Sequence, residues 1–269
     1  MLHLLRIEWL KVKNYRTFWI LLAMTILSIP GLNYAIYDLS NNSFPKVKGA
    51  QSIVGSPFGF PDVWQTVSWN SSMLFIIPAI LIITLTTNEF TFKTHRQNII
   101  DGWSRRQFLS VKLVELLMLA VVCTIVVALT VLVFGSIGSK VAAGQSHWQD
   151  TRFIFFYFVQ LLSYSMIAFL MALLIRRSGL AIGAFLIYML AENIIVGLGR
   201  HKFNVDGVDY LPEEVTDRLI PQPYLHRVFE SSADQVRWEQ HVPVYLAVAV
   251  IYLLLYYLIT DRRITKSDL

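Results

Sequence analysis

Charged residues are scarce in this chain: they make up 15% of its 269 residues, whereas hydrophobic residues make up 55%. A soluble domain carries roughly 25% charged residues. The mean hydropathy is +0.53, and several apolar runs are too long for the core helix of a soluble protein. The composition therefore excludes the soluble class and indicates an integral membrane protein.

Cysteine occurs only once, as Cys123 within an apolar run. A single cysteine excludes a disulfide framework and a thiolate metal site. Three histidines, His201, His226 and His241, lie in a carboxylate-rich stretch, but they do not have the spacing of metal ligands. We therefore expect no metal site.

A nucleotide-binding motif is also lacking. The nearest candidate, Gly135–Lys140, does not have the spacing of a P-loop, and we assign it to a connection on the outer side. The net charge of +5 is spread along the polar connections, which indicates membrane orientation rather than nucleic-acid binding. We expect no catalytic residue and no cofactor on this chain, and no nucleic-acid partner.

Six apolar segments are long enough to cross a hydrocarbon core, which needs roughly 20 helical residues. Backbone polar groups have no water partners in lipid, so each segment must be a helix. We predict one all-α transmembrane domain over residues 1–269, in which Pro30 and Pro78 bend the first and second spans. The predicted spans are Phe18–Tyr37, Trp69–Thr87, Leu113–Phe134, Phe153–Ile175, Leu180–Leu198 and Val242–Thr260.

The orientation follows from the basic residues. The first apolar run starts behind a long leader and no small-residue cleavage site follows, so we expect the first span to remain in the mature protein. With the N-terminus inside, fourteen of the 23 Lys and Arg residues lie in inner segments. Five of the other nine lie in the long segment 199–241, where charge has little influence on topology. We therefore predict that both termini are cytoplasmic, in the inner membrane of a bacterium.

The leader carries an apolar stripe with 3-4-3 spacing, formed by Leu2, Leu5, Trp9 and Val12. Such spacing places the four side chains on one face of a helix, with the basic residues off that face. This pattern predicts a helix lying in the headgroup plane, in contact with anionic lipid. The alternative is an ordinary positively charged flank of the first span.

The inner connection 88–112 has strong local signals. Glu89 and Lys93 have the spacing of a helical ion pair. Gly102 is typical of the position just beyond a helix end. Ser104 and Gln107 form a capping box for the helix of the third span. We therefore predict that the second span continues beyond the membrane, turns at residues 101–103 and returns.

Four large apolar residues lie near this turn: Ile99, Ile100, Trp103 and Phe108. Apolar groups exposed on a charged projection would form a docking surface for a partner. Alternatively, they fold back onto the lipid or onto the inner face of the protein itself.

The same stretch resembles the cytoplasmic loop of type-2 ABC exporter permeases. The resemblance lies in Glu89, in Gly102-x-Ser104-Arg105 after twelve intervening residues, and in Lys112 at the entry of the third span. Six spans, an interfacial entry helix and both termini inside are similar to that family as well. The motif covers about 25 residues, and the topology covers the whole chain.

The resemblance implies a coupling helix that inserts into a separate ABC ATP-binding subunit, which carries the ATP and the Mg²⁺. It also implies a second permease copy, identical or related. The residues that it assigns to coupling are Glu89, Arg96, Ile99, Ile100, Asp101, Gly102, Trp103, Ser104 and Arg105.

The outer segment 199–241 is acidic. Pro212 and the two glutamates after it predict a helix start, and Leu211, Val215 and Leu219 repeat every four residues. A second apolar face follows at Leu225, Val228 and Phe229. We predict two short amphipathic helices that cap the outer end, unlike the apolar re-entrant helix pair typical of the family.

An ionisable residue within a span is costly unless it faces a cavity or a partner. Glu192, next to Asn193, lies about 9 Å from the outer end of the fifth span. One hypothesis places both residues on a substrate path or a subunit interface. The other pairs Glu192 with a polar residue of a neighbouring helix, such as Tyr164 or Ser163.

The leading functional hypothesis is the permease subunit of an ATP-driven exporter of a lipid, peptide or amphipathic small molecule. The alternative is a membrane anchor or scaffold of an envelope or surface-motility complex. An intramembrane enzyme would need a catalytic cluster within the spans, and a secondary transporter several ionisable residues at midplane. The sequence offers neither, so both classes rank below the first two.

Overall fold

The computed structural model describes residues 2–42, 57–94, 97, 100, 102–138, 146–203, 205–224 and 232–266. The regular structure within these ranges is helical, without strands. The α-helices are α1 (Leu2–Val12), α2 (Arg16–Asn42), α3 (Val63–Ser72), α4 (Ile76–Thr91), α5 (Arg105–Ile137), α6 (Arg152–Ile175), α7 (Ser178–Leu198), α8 (Glu214–Asp217) and α9 (Ser232–Lys266).

Five of these helices, α2, α5, α6, α7 and α9, are long and apolar enough to cross a membrane. The pair α3 and α4 meets the same standard together, with a bend of 45° between them. The chain is therefore an all-α, multi-pass membrane protein with five such helices, or six if the bent pair is one span. Each predicted span lies inside one of these helices or inside the pair.

A bend in the second span was expected from Pro78, and the structure shows it as a break between two helices, α3 and α4. The amides of Leu74 and Phe75 donate to the carbonyls three residues earlier, at 3.1 and 3.2 Å, which tightens the chain after α3. Pro78 is the third residue of α4, where its missing N–H has no helical partner to lose. The ring of a proline also clashes with the carbonyl four residues earlier, which favours the break between α3 and α4. Pro30, in contrast, lies within an uninterrupted α2.

Helix α6 is the centre of the bundle. Most of its length is buried, and it packs against α3, α4, α5, α7, α8 and α9. Its buried side chains include Tyr157, Phe169 and Leu173. Helices α2 and α7 are largely exposed on their outward faces, as expected of helices that contact lipid.

The two ends of the bundle differ in character. We call the end that holds α1 and the start of α5 the inner end, and the opposite end the outer end. Aromatic rings from three segments meet at the outer end, where Phe58 lies 5.4 Å from Tyr37 and 5.7 Å from Phe134. The indole of Trp64 donates to the carbonyl of His147 at 2.7 Å. These contacts fix the beginning of α3 against the outer ends of α2 and α5.

The outer segment differs from its prediction. Helix α8 begins at Glu214, at the predicted helix start, but it is only four residues long, and a π-turn (Gly199–Phe203) and a 3-10 helix (Asp206–Tyr210) precede it. Val215 and Leu219 are fully buried, so this part enters the bundle instead of capping it. The second predicted face, Leu225, Val228 and Phe229, lies outside the described residues. Because α9 begins at Ser232, the last ten residues of the segment belong to a long helix.

Candidate functional site

Five charged side chains form a cluster at the inner end, the inner charge cluster: Glu8, Lys11, Glu89, Lys112 and Glu115. The buried ammonium of Lys112 lies 3.0 Å from Glu8 and 3.1 Å from Glu115, and it also pairs with Glu89. Lys11 adds a contact of 2.6 Å to Glu8. Because these residues belong to α1, α4 and α5, the ion pairs join three separate elements.

The electrostatics of Glu8 show how strong this coupling is. Burial on its own would raise the pKa of Glu8, but Lys112 and Lys11 outweigh the burial and lower the pKa to about 2. Removing one partner from a buried ion pair leaves a charge without compensation, which is strongly destabilising. The cluster therefore holds α1 against the transmembrane helices as one mechanical unit.

The amino-acid sequence indicated this cluster only in part. Glu89 was expected to pair with Lys93, but α4 ends at Thr91 and Lys93 has a φ of 56°, so the two residues do not share a helix. Glu89 instead faces inward, towards Lys112. Glu8 was missed. The available signal was a carboxylate on the same helical face as Leu5 and Val12, at positions three and four residues away.

The turn before α5 has the predicted local geometry. Gly102 has a φ of 94°, in the region that favours glycine. Ser104 and Gln107 form the capping box. The backbone amide of Gln107 donates to the Ser104 hydroxyl at 3.2 Å, and the backbone amide of Ser104 donates to the side-chain oxygen of Gln107 at 2.8 Å. The helix before the turn is not continuous with α4, because the break at Phe92 and Lys93 separates them.

Between this break and the turn, the described residues Thr94, Gln97 and Ile100 are helical. We call residues 92–104 the inner projection. Ile100 is 77% exposed. Three residues assigned to coupling, Arg96, Ile99 and Asp101, lie outside the described residues.

Trp103 and Phe108 are not exposed, so this part of the expected docking surface is wrong. Trp103 is only 8% exposed, and the ammonium of Lys11 lies 5.8 Å from the centroid of its ring. Phe108 is buried within the apolar core. A cation above an indole face is favourable, and burial of the ring adds to it. Both rings therefore stabilise the inner end itself.

Arg105 has a partner within the chain. Its guanidinium donates to the carbonyl of Thr265 at 2.6 Å, in the last turn of α9. Carbonyls at a helix C-terminus have no helical donor, and a basic side chain satisfies them. The start of α5 is thereby tied to the end of α9.

The predicted stripe of α1 faces a cavity. Leu5, Trp9 and Val12 line it, while the side chain of Leu2 is not among those described. Trp9 also contacts Trp19 edge to face, at 6.0 Å between ring centroids. The apolar face of α1 therefore packs across the inner end of the bundle.

Three carboxyl groups gather in the outer half, two buried (Glu192 and Glu213) and one half-buried (Asp217), and we call them the outer acidic cluster. One oxygen of Glu192 accepts hydrogen bonds from the backbone amides of Glu213 and Glu214 at 2.6 and 3.0 Å. Its other oxygen accepts a hydrogen bond from the hydroxyl of Tyr188 at 2.5 Å. The carboxylate of α7 therefore holds the first turn of α8 inside the bundle.

Asp217 secures the same element from the side of α6. It accepts hydrogen bonds from Gln160 at 2.7 Å and Tyr164 at 2.8 Å. Those residues lie about 12 and 18 Å along α6 from its outer end. Burial raises the pKa of Asp217 to about 7, although the two hydrogen bonds oppose the shift.

Glu213 differs from its neighbours because neither oxygen of its carboxyl group has a hydrogen-bond partner among the described residues. It is 2% exposed. Burial raises its pKa to about 9, and the nearby carboxyl groups of Glu192 and Asp217 add to the shift. Both effects favour the protonated, neutral form of Glu213.

Asn193 points away from this cluster. It lies on the exposed face of α7, and its side chain donates to the carbonyl of Met189 in the same helix at 2.9 Å. The structure thus separates two residues that are adjacent in sequence. Tyr164 and Ser163, the neighbours proposed for Glu192, do not bond to it: Tyr164 donates to Asp217, and the Ser163 hydroxyl has no partner among the described residues.

Comparison with known proteins identifies one family whose model matches most of the chain. A family of proteins of unknown function, DUF2705, matches residues 50–269. The chain belongs to this family. No curated protein matches the chain. The part of the chain shared with the DUF2705 family contains the outer acidic cluster and also Glu89, Lys112 and Glu115 of the inner charge cluster, whereas α1 precedes it.

The chemistry of the two clusters is structural and electrostatic. Among the described residues, no group of three or more His, Cys, Asp and Glu side chains could hold a metal ion. The inner charge cluster joins α1 to the spans beside an exposed projection, and the outer acidic cluster holds a buried segment in the outer half of the bundle.

Proposed function

We propose that this chain is the membrane-spanning permease subunit of an ATP-driven exporter in the cytoplasmic membrane of a bacterium. It has six spans, with α3 and α4 as the second, and the inner end is cytoplasmic. A separate ABC ATP-binding subunit hydrolyses ATP with its Mg²⁺. The cargo is a lipid, a peptide or an amphipathic small molecule.

The inner projection is the observation that carries this proposal. A subunit that uses ATP bound elsewhere needs a cytoplasmic contact that is joined to its moving spans. The projection follows the end of α4 at Thr91 and enters α5 through the Ser104 cap. Within it, Trp103 is buried and Ile100 is exposed. The resemblance of this stretch to the loop of type-2 ABC exporter permeases supports the same role.

The test is co-purification of the chain with its native partners, followed by measurement of ATPase activity. Ile100→Asp should weaken binding of the ATP-binding subunit, because burial of an isoleucine contributes about 2 kcal/mol, or roughly 30-fold in affinity. The matched control is Ile137→Asp, an exposed residue at the outer end of α5. That variant should insert and bind its partner as the unmodified chain does.

Two outcomes would contradict the proposal. If no ATP-binding subunit accompanies the unmodified chain and an envelope protein does, the anchor or scaffold alternative is favoured. If the ATP-binding subunit binds Ile100→Asp with unchanged affinity, the inner projection is not the coupling element.

A second permease copy is part of the proposal. Asn193 supports it, because a polar side chain on the exposed face of an apolar helix is costly in lipid and favourable between helices. Oxidation of an Asn193→Cys variant should yield a crosslinked dimer in membranes. Leu132→Cys, at a similar distance from the outer end of exposed α5, should not. The native Cys123 is buried and does not interfere.

A further inference from the structure

A cavity of about 520 Å³ lies at the inner end, between α1, α2, α4 and α5. This volume is within the range of small-molecule sites, roughly 300–1,000 Å³. Of its eighteen lining residues, four are charged: Arg6, Glu8, Lys112 and Glu115. The lining of the cavity is therefore mostly apolar, with a few charged side chains.

The cavity opens towards the lipid. Met118 and Val122 of α5 line it and are also exposed on the outward face of that helix. Leu81 and Phe169, at the back, are buried in the bundle. An acyl chain that enters past Met118 would thus be enclosed by apolar side chains on both sides.

Two of the four charged side chains have capacity to bind a ligand. Glu115 uses one oxygen for Lys112, and no described residue donates to its other oxygen. Arg6 is exposed and makes no ion pair with any described residue. Glu8 and Lys112, in contrast, are paired with each other and buried. The available charges are therefore one anion and one cation beside an apolar cavity.

We propose that this cavity binds one acyl chain of a phospholipid whose head group carries a phosphate and a primary ammonium, as in phosphatidylethanolamine. The ammonium donates to Glu115, and the phosphate accepts from Arg6. A guanidinium suits phosphate because it offers parallel N–H donors. A primary ammonium has three N–H donors for a carboxylate, whereas a choline head group has none. The site does not depend on a transport role; only its leaflet follows from the proposed orientation.

The experiment uses the purified full chain in nanodiscs with traces of lipid carrying brominated acyl chains, which quench tryptophan fluorescence on contact. Trp9 lines the cavity, and subtracting the signal of Trp9→Phe isolates its quenching. Phosphatidylethanolamine should reach half-maximal quenching at roughly tenfold lower mole fraction than phosphatidylcholine or phosphatidylglycerol with the same chains.

Variants test each part of the site. Glu115→Gln should abolish the preference for ethanolamine over choline, while Lys112 keeps Glu8 and Glu89 as partners. Leu119→Phe should fill the cavity and reduce quenching by all three lipids. Leu129→Phe, on the exposed face of the same helix outside the cavity, is the matched control and should change nothing. Arg6→Gln should weaken the binding of all three lipids, since each of them carries a phosphate.

Three results would overturn the proposal. Equal quenching by all three lipids in the unmodified chain would mean that the cavity holds bulk lipid only. Tighter binding of phosphatidylglycerol would mean recognition of phosphate without the ammonium. An ethanolamine preference that persists in Glu115→Gln would remove the assigned carboxylate. If Glu115→Gln does not fold, Arg6→Gln decides, since an exposed residue can be replaced without disturbing the inner charge cluster.

Discussion

Glu192 and Glu213 show two ways in which a buried carboxyl group is accommodated. Glu192 accepts hydrogen bonds from two backbone amides and one hydroxyl, so both of its oxygens have partners. Glu213, beside it, has no hydrogen-bond partner for its carboxyl group among the described residues. A neutral acid costs far less to bury than an ion, so the second carboxyl group retains its proton.

The first prediction concerns Glu192. Glu192→Leu should lower the free energy of unfolding by about 1–3 kcal/mol, because the amides of Glu213 and Glu214 would remain buried without an acceptor. Glu192→Gln should cost less, since it keeps one acceptor oxygen. Thermal unfolding in detergent measures both variants. Equal loss in the two variants would show that the charge, and not the hydrogen bonds, holds α8.

The second prediction is a pH dependence that originates in Glu213. The pKa of this group is about 9 in the folded protein, against about 4.3 in an unfolded chain. Between these values the folded state binds more protons than the unfolded state, so stability falls as pH rises. Asp217, with a pKa of about 7, acts in the same direction up to that pH. Glu8 acts only below its ordinary pKa, since its folded pKa is about 2.

The measurement is the unfolding temperature in detergent between pH 5 and pH 8. It should fall across this range in the unmodified protein. Glu213→Gln should flatten the curve and be more stable than the unmodified protein at pH 8. Glu239→Gln, which changes an exposed glutamate on α9, is the control and should keep the original slope. A slope unaffected by Glu213→Gln would mean that this carboxyl group is ionised when folded.

At the scale of elements, α1 depends on side-chain contacts with the rest of the fold. An isolated helix of eleven residues is marginal in water, and tertiary contacts supply most helical stability. Here Glu8 reaches Lys112 on α5, and Lys11 lies over Trp103. Helix α1 is therefore connected to both the spans and the inner projection.

The third prediction tests this connection. Lys112→Met should lower the free energy of unfolding by about 3–5 kcal/mol, because Glu8 and Glu89 would lose their buried partner. Lys11→Met, in the same cluster but partly exposed, should cost less. Thermal unfolding compares the two variants at the same pH. A larger effect for Lys11→Met would place the centre of the cluster at Lys11 instead of Lys112.

At the scale of the whole molecule, the outer half is filled by chain that does not span the bundle. The indole of Trp238 donates to the Arg218 carbonyl at 2.8 Å, and Tyr252 donates to the Tyr210 carbonyl at 3.0 Å. Gln65 adds a bond of 2.8 Å to the carbonyl of Pro221. The segment after α7 is thereby fastened to α3, α6, α7 and α9 at once.

The fourth prediction is the orientation of the whole chain. A cysteine at Lys202 should react with an impermeant maleimide added to intact cells, and one at Gln97 should react only after permeabilisation. Both native side chains are exposed, and Cys123 is buried, so background labelling is low. Reaction at Gln97 in intact cells, with none at Lys202, would reverse the proposed orientation.

The sequence by itself determined the features that depend on local physics. Apolar runs of spanning length predict helices wherever they occur, since backbone groups in lipid must bond within their own helix. The capping box at Ser104 and the turn at Gly102 could also be predicted, because each depends on residues within one helical turn. These signals do not require knowledge of the rest of the chain.

Only the tertiary structure decided which distant residues meet. Glu8 and Lys112 are 104 positions apart, and nothing in either local sequence selects the other. The sequence left open whether Trp103 is exposed or folds back onto the protein, and the structure buries it, with the ammonium of Lys11 over its ring. The segment around Val215 was expected as a cap, yet Glu192 and Asp217 hold it inside. A local pattern states that a side chain is apolar or charged, whereas its burial depends on which element packs against it. That choice belongs to the whole fold.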